Sequence, residues 1–367
     1  MVEWKKLGTL SDIGTGSNNR EDACENGLYP FYVRSKEVLR INSYLYDEEA
    51  ILIPGEGGVG EIFHYVNGKY GLHQRTYRVH PILKIVKGKY LYYYLYENFG
   101  KYINQKSFKS TAASIRKPML LDFPVAIPSL PEQTRIVGIL DTFTASIENL
   151  KEQIAERRKQ YEHYRDQLLD LEGKEGVEMK TLGEVCLKTK NIKWKSEPEE
   201  NSYFYIDLSS VNIDLNNITD TTEINKDSAP SRAQQIVKID DILLGTTRPT
   251  LKRYCQVPMQ YDNQICSTGY CVFRANTAIV LSRWIFHNIG NGRFWDYCEQ
   301  KQQGAGYPCL SNSDAFSYSI PVPSLEEQQR IVSILDTFEA SIQNLEAQLK
   351  EREKQYEYYR NKLLTFE

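Results

Sequence analysis

Residues 128–172 of this chain return as residues 323–367 with no gap and about two residues in three identical: PSLPEQTRIVGILDTFTASIENL in the first copy becomes PSLEEQQRIVSILDTFEASIQNL in the second. A repeat of this kind constrains the architecture before any local motif does. Each copy follows a segment of roughly 130–150 residues, so the chain reads as head, rod, head, rod, at 1–127, 128–172, 173–322 and 323–367. The two heads share little sequence. Near-identical supports under dissimilar heads point to one protein that reads two different things at a fixed distance.

Each rod opens on a capping-box pattern, Ser129-Leu-Pro-Glu132 and Ser324-Leu-Glu-Glu327, in which the serine accepts from a free helix N–H and the glutamate reaches back. Ile136, Leu140, Phe143, Ile147, Leu150, Ile154, Arg157, Tyr161, Tyr164, Leu168 and Leu171 then alternate by four and three. The second copy repeats the pattern with Ile331, Leu335, Phe338, Ile342, Leu345, Leu349, Arg352, Tyr356, Tyr359, Leu363 and Phe366. A period of 3.5 over about five heptads is a coiled-coil seam. A helix of about 40 residues spans about 60 Å. Arg157 and Arg352 hold the same place in the two seams. Each reads either as a side chain that snorkels to water or as a polar group permitting one alignment only. An antiparallel pair of rods gives a pseudo-two-fold with a head at each end, a ruler suited to DNA half-sites about one turn (~34–36 Å) apart. The alternative is two surface helices, each packed on its own head.

Composition is that of an ordinary soluble protein, 41% hydrophobic and 25% charged, and no apolar run approaches the length of a membrane span. The opening MVEWKKLGTLSDIG lacks the apolar core of a signal peptide. Seven cysteines without a CxxC pair read as reduced thiols rather than as a disulfide or zinc framework, so no metal and a cytoplasmic address are expected. The net charge of −3 is unevenly spread: 17 basic against 13 acidic residues in the first head, 16 against 17 in the second, and 6 against 9 in each rod. The acidity sits mainly on the rods, leaving the first head mildly basic.

The heads read as compact α/β (α+β) domains. Lys6-Leu7-Gly8 matches Thr181-Leu182-Gly183 at their openings, and Phe123–Ile127 and Ser319–Val322 close them on apolar runs. The acidic pairs Glu48-Glu49 and Asp240-Asp241 each precede an apolar strand that runs into a loop. Helices are expected at Tyr90–Tyr102 and Leu281–Gln300. Gly55-Glu-Gly57-Gly58-Val-Gly60 satisfies the G-x-G-x-x-G pattern, but Glu61-Ile-Phe-His-Tyr-Val66 then reads as a strand ending in the turn signal Asn67-Gly68, without the helix a dinucleotide site needs. The glycine segment is expected to be a flexible loop near DNA.

Basic, amide and aromatic residues interleave at Gln74, Arg75, Arg78, Lys101, Lys106, Lys109, Arg116 and Lys117, and the loop of the second head offers Thr246, Thr247, Arg248, Lys252 and Arg253. Arginine suits guanine, amides suit adenine, and lysine and hydroxyls suit phosphates, so these are the candidate DNA contacts. No catalytic residues are expected: there is no HExxH, GxSxG, Walker loop, PD-(D/E)xK nuclease pattern or amino-methyltransferase N/D-P-P-Y/F loop.

The twin segments Ile127–Val137 and Val322–Val332, each followed by a long helix, resemble the specificity (S) subunit of type I restriction-modification systems over the whole chain. The resemblance implies two target-recognition domains, related to those of adenine methyltransferases, separated by an antiparallel coiled coil. Each would read half of a bipartite, asymmetric site in double-stranded DNA. It implies no cofactor in this chain, with S-adenosylmethionine, ATP and Mg held by two methylation (M) subunits bound to the helices and by restriction (R) subunits. A specificity subunit of a type IIB-like system and a non-enzymatic coiled-coil scaffold are the alternatives.

Overall fold

The first and last strands of each head pair with one another, which fixes the start of the following rod beneath the head that precedes it. The computed structural model describes residues 2–58, 60–82, 84–106, 114–213 and 215–366. The first head contains β1 (Glu3–Lys6), α1 (Leu7–Leu10), β2 (Ser11–Thr15), β3 (Tyr29–Tyr32), β4 (Val38–Ile41), β5 (Tyr46–Pro54), β6 (His64–Leu72), β7 (Thr76–Pro81), α2 (Gly88–Lys106), α3 (Lys117–Leu121) and β8 (Pro124–Ile127). The first rod, α4 (Leu130–Leu169), follows at once. β1 pairs antiparallel with β8, and the remaining strands form a six-stranded sheet in the order β2-β7-β5-β6-β3-β4. All its pairings are antiparallel except that of β3 with β6.

The second head contains β9 (Glu178–Thr181), α5 (Leu182–Val185), β10 (Cys186–Leu187), β11 (Lys190–Asn191), β12 (Tyr203–Ile206), β13 (Val211–Asn212), β14 (Asn217–Ile218), β15 (Thr222–Ile224), β16 (Ala233–Ile236) and β17 (Ile242–Gly245). It continues with β18 (Tyr254–Gln256), β19 (Ile265–Ser267), β20 (Tyr270–Ala275), α6 (Ser282–Ile289), α7 (Gly292–Lys301), α8 (Asn312–Ser317) and β21 (Ser319–Val322), before the second rod, α9 (Leu325–Leu364). β9 pairs with β21 as β1 does with β8. The main strands lie in two sheets, β10-β20-β17-β18 and β11-β16-β19-β12-β15.

The two heads share this strand order, with one hairpin broken and with β11 and the β13–β14 pair added in the second. In the first head β5 and β6 form one long hairpin, paired from Tyr46 and Tyr70 to Leu52 and His64. In the second head the same hairpin is cut in two, β17 pairing with β18 and β16 with β19. The parallel pairing of β3 with β6 reappears as that of β12 with β19.

Two local expectations need correction. Asn67-Gly68 is no turn: Gly68 adopts φ +125 inside β6, facing Glu48 of β5, and the ladder continues through it. Leu281–Gln300 is not one helix, because Gly290 closes α6 and the Asn291 side chain accepts from the Arg293 N–H to start α7. The asparagine cap supplies the start of the second helix.

The chain divides into two compact units, Met1–Glu152 with Glu346–Glu367 and Gln153–Leu345, so each rod begins in one unit and ends in the other. In the first unit Phe143 of α4 stacks on Tyr359 of α9, with ring centres 5.4 Å apart, and the Arg352 guanidinium lies 5.7 Å from the Phe143 ring. In the second, Phe338 of α9 stacks on Tyr164 of α4 at 5.4 Å, with Arg157 at 5.8 Å. The start of one rod thus meets the end of the other, an antiparallel coiled coil, and each seam arginine has a phenylalanine of the opposite rod as its partner. That matched pairing favours the register reading of Arg157 and Arg352 over simple snorkelling.

The expected seam differs at its ends. Ile136 and Leu140 are buried in the core of the first head together with Leu364, while Ile331 and Leu335 join the core of the second with Leu169. Leu169 and Leu364 are more deeply buried than the expected Leu168 and Leu363. A straight helix drifts against a 3.5 repeat, and here the heads take up the drifted face. The capping box is half formed: Ser129 and Ser324 accept from the N–H groups of Glu132 and Glu327, but those carboxylates bind Arg135 and Arg330.

Candidate nucleic-acid interface

In each head the strand after the acidic pair carries the chain to one loop, anchored by equivalent main-chain bonds. In the first head the Gly55 N–H donates to Arg75 O at 2.9 Å, the Ile115 N–H donates to Gly55 O at 2.7 Å, and Glu56 bridges Ser114. In the second, the Thr246 N–H donates to Gly269 O at 2.9 Å, the Leu310 N–H donates to Thr246 O at 2.9 Å, and Thr247 bridges Cys309. Gly55 therefore corresponds to Thr246, Glu56 to Thr247 and Gly57 to Arg248. The same frame presents different side chains.

In the first head the loop gathers two arginines around one acid. Glu56 Oε2 accepts from Arg34 Nη1 at 2.9 Å and from Arg75 Nη1 at 3.1 Å. The Arg75 hydrogen bond is the main cause holding the Glu56 carboxyl below its usual range, with Arg34 adding to it. All three side chains remain accessible, at 39% for Glu56, 44% for Arg34 and 56% for Arg75. Gly57, at φ +73, turns the chain here in a conformation that a side chain rarely adopts. A cavity of about 230 Å³ adjoins the group, lined among others by Arg20, Ser35 and His73. Gln74 is exposed and donates to Asn19 Oδ1 at 2.6 Å. The loop leads through a turn into β6, so the glycines open no helix for a pyrophosphate to cap.

In the second head two cations stand at left-handed backbone positions, Arg248 at φ +51 and Lys252 at φ +52, flanking a short turn begun by Pro249. Such conformations cost residues other than glycine on the order of 1 kcal/mol or more and concentrate where side chains must be aimed. The Arg248 guanidinium lies 4.4 Å from the ring centre of Tyr307, which is 70% exposed. Cation and ring together form a flat, charged platform of the kind that meets bases. Thr246 faces inward, donating its hydroxyl to Gly269 O, while Arg253 is half-buried.

Several expected readers have other surroundings. Arg78 is buried, its guanidinium held by Glu48 and by Asp12, with the Tyr46 ring beneath it at 4.7 Å. It braces β2, β5 and β7 rather than facing outward, and Arg274 braces the second head in the same way against Asp241. The Lys101 ammonium pairs with Glu97, which also holds Arg360 and Asn361 of the second rod. Lys101 is therefore part of the junction between head and rod. Thr246 is likewise too buried to be an exposed contact. Arg116 and Lys117 are exposed at the start of α3, directly after the segment pinned to Gly55. Lys109 and the side chain of Lys106 lie outside the described residues.

Arg34, Glu56 and Tyr307 were not among the expected residues. The parallel pairing of β3 with β6, and the His73 N–H bond to Tyr32 O, bring Arg34 beside Arg75 across about 40 residues of chain. No local pattern announces that meeting.

Two further groups belong to the supports. Gln133 is fully buried at the start of the first rod; its Nε2 donates to Ile85 O and Pro128 O, and its Oε1 accepts from the Lys87 N–H. Gln328 makes the same three bonds with Ile279, Pro323 and Leu281. Their identity in the two copies was the signal. Two helical turns further on, Asp141 accepts from Lys89 and Tyr93, and Asp336 from Arg283 and His287. His287, Asp336 and Glu339 come close enough to bind a cation, but the Arg283 guanidinium already fills that role, bonded to both acids.

Against known proteins, the profile of the "Type I restriction modification DNA specificity domain" matches residues 1–157 and 174–353. The chain is 27% identical over 387 residues to the type I restriction enzyme EcoDI specificity subunit of Escherichia coli, covering 95% of this chain and 84% of that protein. It is 27% identical to a putative type I restriction enzyme specificity subunit of Haemophilus influenzae, covering 100% of this chain and 96% of the other. The fold matches the crystal structure of a type I restriction-modification S subunit from M. genitalium with a TM-score of 0.68 and 17% identity, covering 100% of this chain and 97% of that one. With duplicated rods, paired heads and a profile match across both, the chain belongs to the specificity subunits of type I restriction-modification systems, which give such systems their DNA sequence specificity.

Proposed function

We propose that this subunit reads a two-part, asymmetric sequence in double-stranded DNA, one half through each head, and makes or breaks no bond itself. The observation that supports this most is the pair of loops anchored alike, one carrying Glu56 between two arginines and the other carrying Arg248 against Tyr307. Equivalent anchoring argues for one class of ligand. Different side chains argue for two base sequences, because phosphate contacts position a protein while base-edge contacts specify sequence.

In this reading the repeated rods hold two copies of one methylation subunit, and restriction subunits join that assembly. S-adenosylmethionine, ATP and magnesium belong to those partners. The net charge of −3 is compatible with DNA binding if the partners make much of the phosphate contact, the term that dominates non-specific affinity. The complex acts in the cytoplasm, where the DNA is; among the described residues no helix is long and apolar enough to cross a membrane.

Single-molecule sequencing of methylated adenines in cells with and without the gene tests the proposal. Loss of one bipartite, non-palindromic motif is expected on deletion. An unchanged set of motifs, or loss of a continuous palindrome, would contradict it.

A further inference from the structure

The trio in the first head has a chemistry more specific than a general affinity for DNA. Arg34 and Arg75 share a single oxygen of Glu56, and among the described residues the other oxygen, Oε1, has no hydrogen-bond partner. The group is open to solvent beside the cavity lined by Arg20 and His73. A phosphate is a poor occupant, because the central carboxylate would repel it. A base edge is a good one. Guanine presents two acceptors, O6 and N7, that match a guanidinium fork, and cytosine presents the N4 amine, a donor that a carboxylate accepts. A thymine O4 would meet the same carboxylate as acceptor against acceptor.

We propose that Arg34, Glu56 and Arg75 read a G·C base pair in the half-site of the first head, an arginine taking the guanine edge and Glu56 accepting from the cytosine amine. The inference rests on the proposed two-part readout and adds to it the identity of a base pair and the residues that select it. Glu56 has a second task in the free protein. It holds both guanidinia on one side of the loop, so that less side-chain freedom is lost when the base arrives. Thr247 stands in the corresponding place of the second head. That loop therefore offers a hydroxyl, which can donate or accept, in place of a carboxylate, and does not favour a cytosine amine in the same way.

The test uses the full complex with its methylation subunit, carrying the native chain or Glu56→Gln, with methylated motifs mapped by single-molecule sequencing and affinities measured on duplexes in which one G·C pair at a time becomes A·T. The native complex is expected to require a G·C pair in the altered half. Glu56→Gln should reduce the preference at that single position by roughly 5- to 150-fold, the range for loss of one good base contact, leaving the other half and the spacing unchanged. Arg75→Lys, which keeps the charge and loses the planar fork, should weaken selection at the same position. A two-part motif whose preferences are untouched by both variants would overturn the trio's assignment and leave the two-part readout standing. The absence of any two-part motif in the native complex would instead remove the reading on which it rests. Thermal unfolding of each variant confirms that the first head is folded, as expected for substitutions at exposed side chains.

Discussion

The first head has one unbroken hairpin, β5 with β6, where the second has that hairpin cut into two sheets. Around this difference the supporting contacts barely change. Gln133 and Gln328 make the same three bonds, Asp141 and Asp336 each hold two side chains of the facing helix, and Phe143 and Phe338 stack on Tyr359 and Tyr164 at the same 5.4 Å. What varies is the sheet edge and the loop beyond it. The fold thus separates two tasks: the face toward the rods carries contacts that recur, and the loop carries the chemistry that differs. Because the anchors of the loop are main-chain bonds, its side chains can change without loss of placement.

The largest effect that probes this contrast is expected at the buried glutamines. Gln133→Leu strands two carbonyls and one N–H, each hydrogen bond contributing about 1 kcal/mol, so a loss of about 3 kcal/mol is expected. Gln328→Leu should cost as much. Hydrogen exchange resolved by residue should show protection lost from the head next to each substitution. Equal loss across both heads after either change would show that the anchors are not local.

Acid should separate the heads next. Burial is the main cause holding His287 below the usual histidine pKa, against the pull of Asp336 and Glu339 and together with the repulsion of Arg283. Its neighbours from the other elements are Tyr161 of the first rod and Asp336 and Glu339 of the second. Its Nδ1 lies 3.1 Å from the hydroxyl oxygen of Tyr161, which donates to Glu339, and its Nε2 lies 2.8 Å from Asp336 Oδ1. A group whose pKa is lower folded than unfolded stabilises the fold above its unfolded value, near 6.5, and that contribution is lost as pH falls below it. Asp336 behaves alike further down: burial would raise its carboxyl, but His287 and Arg283 outweigh that and hold it low. Its contribution is lost as pH falls below the ordinary carboxylate range. In the first head Asp141 faces Lys89 and Tyr93 with no histidine, and burial pushes the Tyr93 hydroxyl upward and out of this range. His64 and His73 of the first head are also held below the usual value mainly by burial, but away from the rod. Hydrogen exchange at pH 7 and pH 5 should therefore show α6 loosening from its rod while α2 does not. Equal loosening of α2 beside Asp141 would break the contrast.

The smallest effect tests the rods. Phe338→Leu removes the stacking on Tyr164 and the contact with Arg157, and Phe143→Leu removes the matching pair. Each should cost about 1 kcal/mol. A double-mutant cycle of Arg157→Met with Phe338→Leu should give a coupling of about 0.5–1 kcal/mol. Zero coupling there and in the matching cycle of Arg352→Met with Phe143→Leu would return the two arginines to simple snorkelling.

Much of this architecture was legible in the sequence because the repeat announces it. The 3.5 period gave the rods, the acidic pairs before apolar runs marked β5 and β17, and an aromatic run marked the helix around Tyr90–Tyr102. Boundaries that rest on single residues were less visible. Gly68 looks like a turn in a local window, yet a strand partner on β5 carries the ladder through it. Gly290, Asn291 and Gly292 break a helix whose apolar pattern continues. The candidate site was legible only in part. Arg75 and Arg248 stand out as cations in loops, whereas Arg78 has the same local sequence character and is buried with Glu48, a partner 30 residues away. Charge along a chain does not reveal whether a carboxylate waits across the sheet. Arg34 was missed for the converse reason, since only the parallel pairing of β3 with β6 brings it to Glu56.

The central claim, that each head selects its own bases through a loop held in a shared frame, is tested most directly by mapping methylated adenines for a complex carrying Arg248→Ala beside the native one. The account predicts a motif that becomes degenerate in one half, with the other half and the spacer intact. Degeneracy in both halves, or weaker methylation of an unaltered motif, would contradict it.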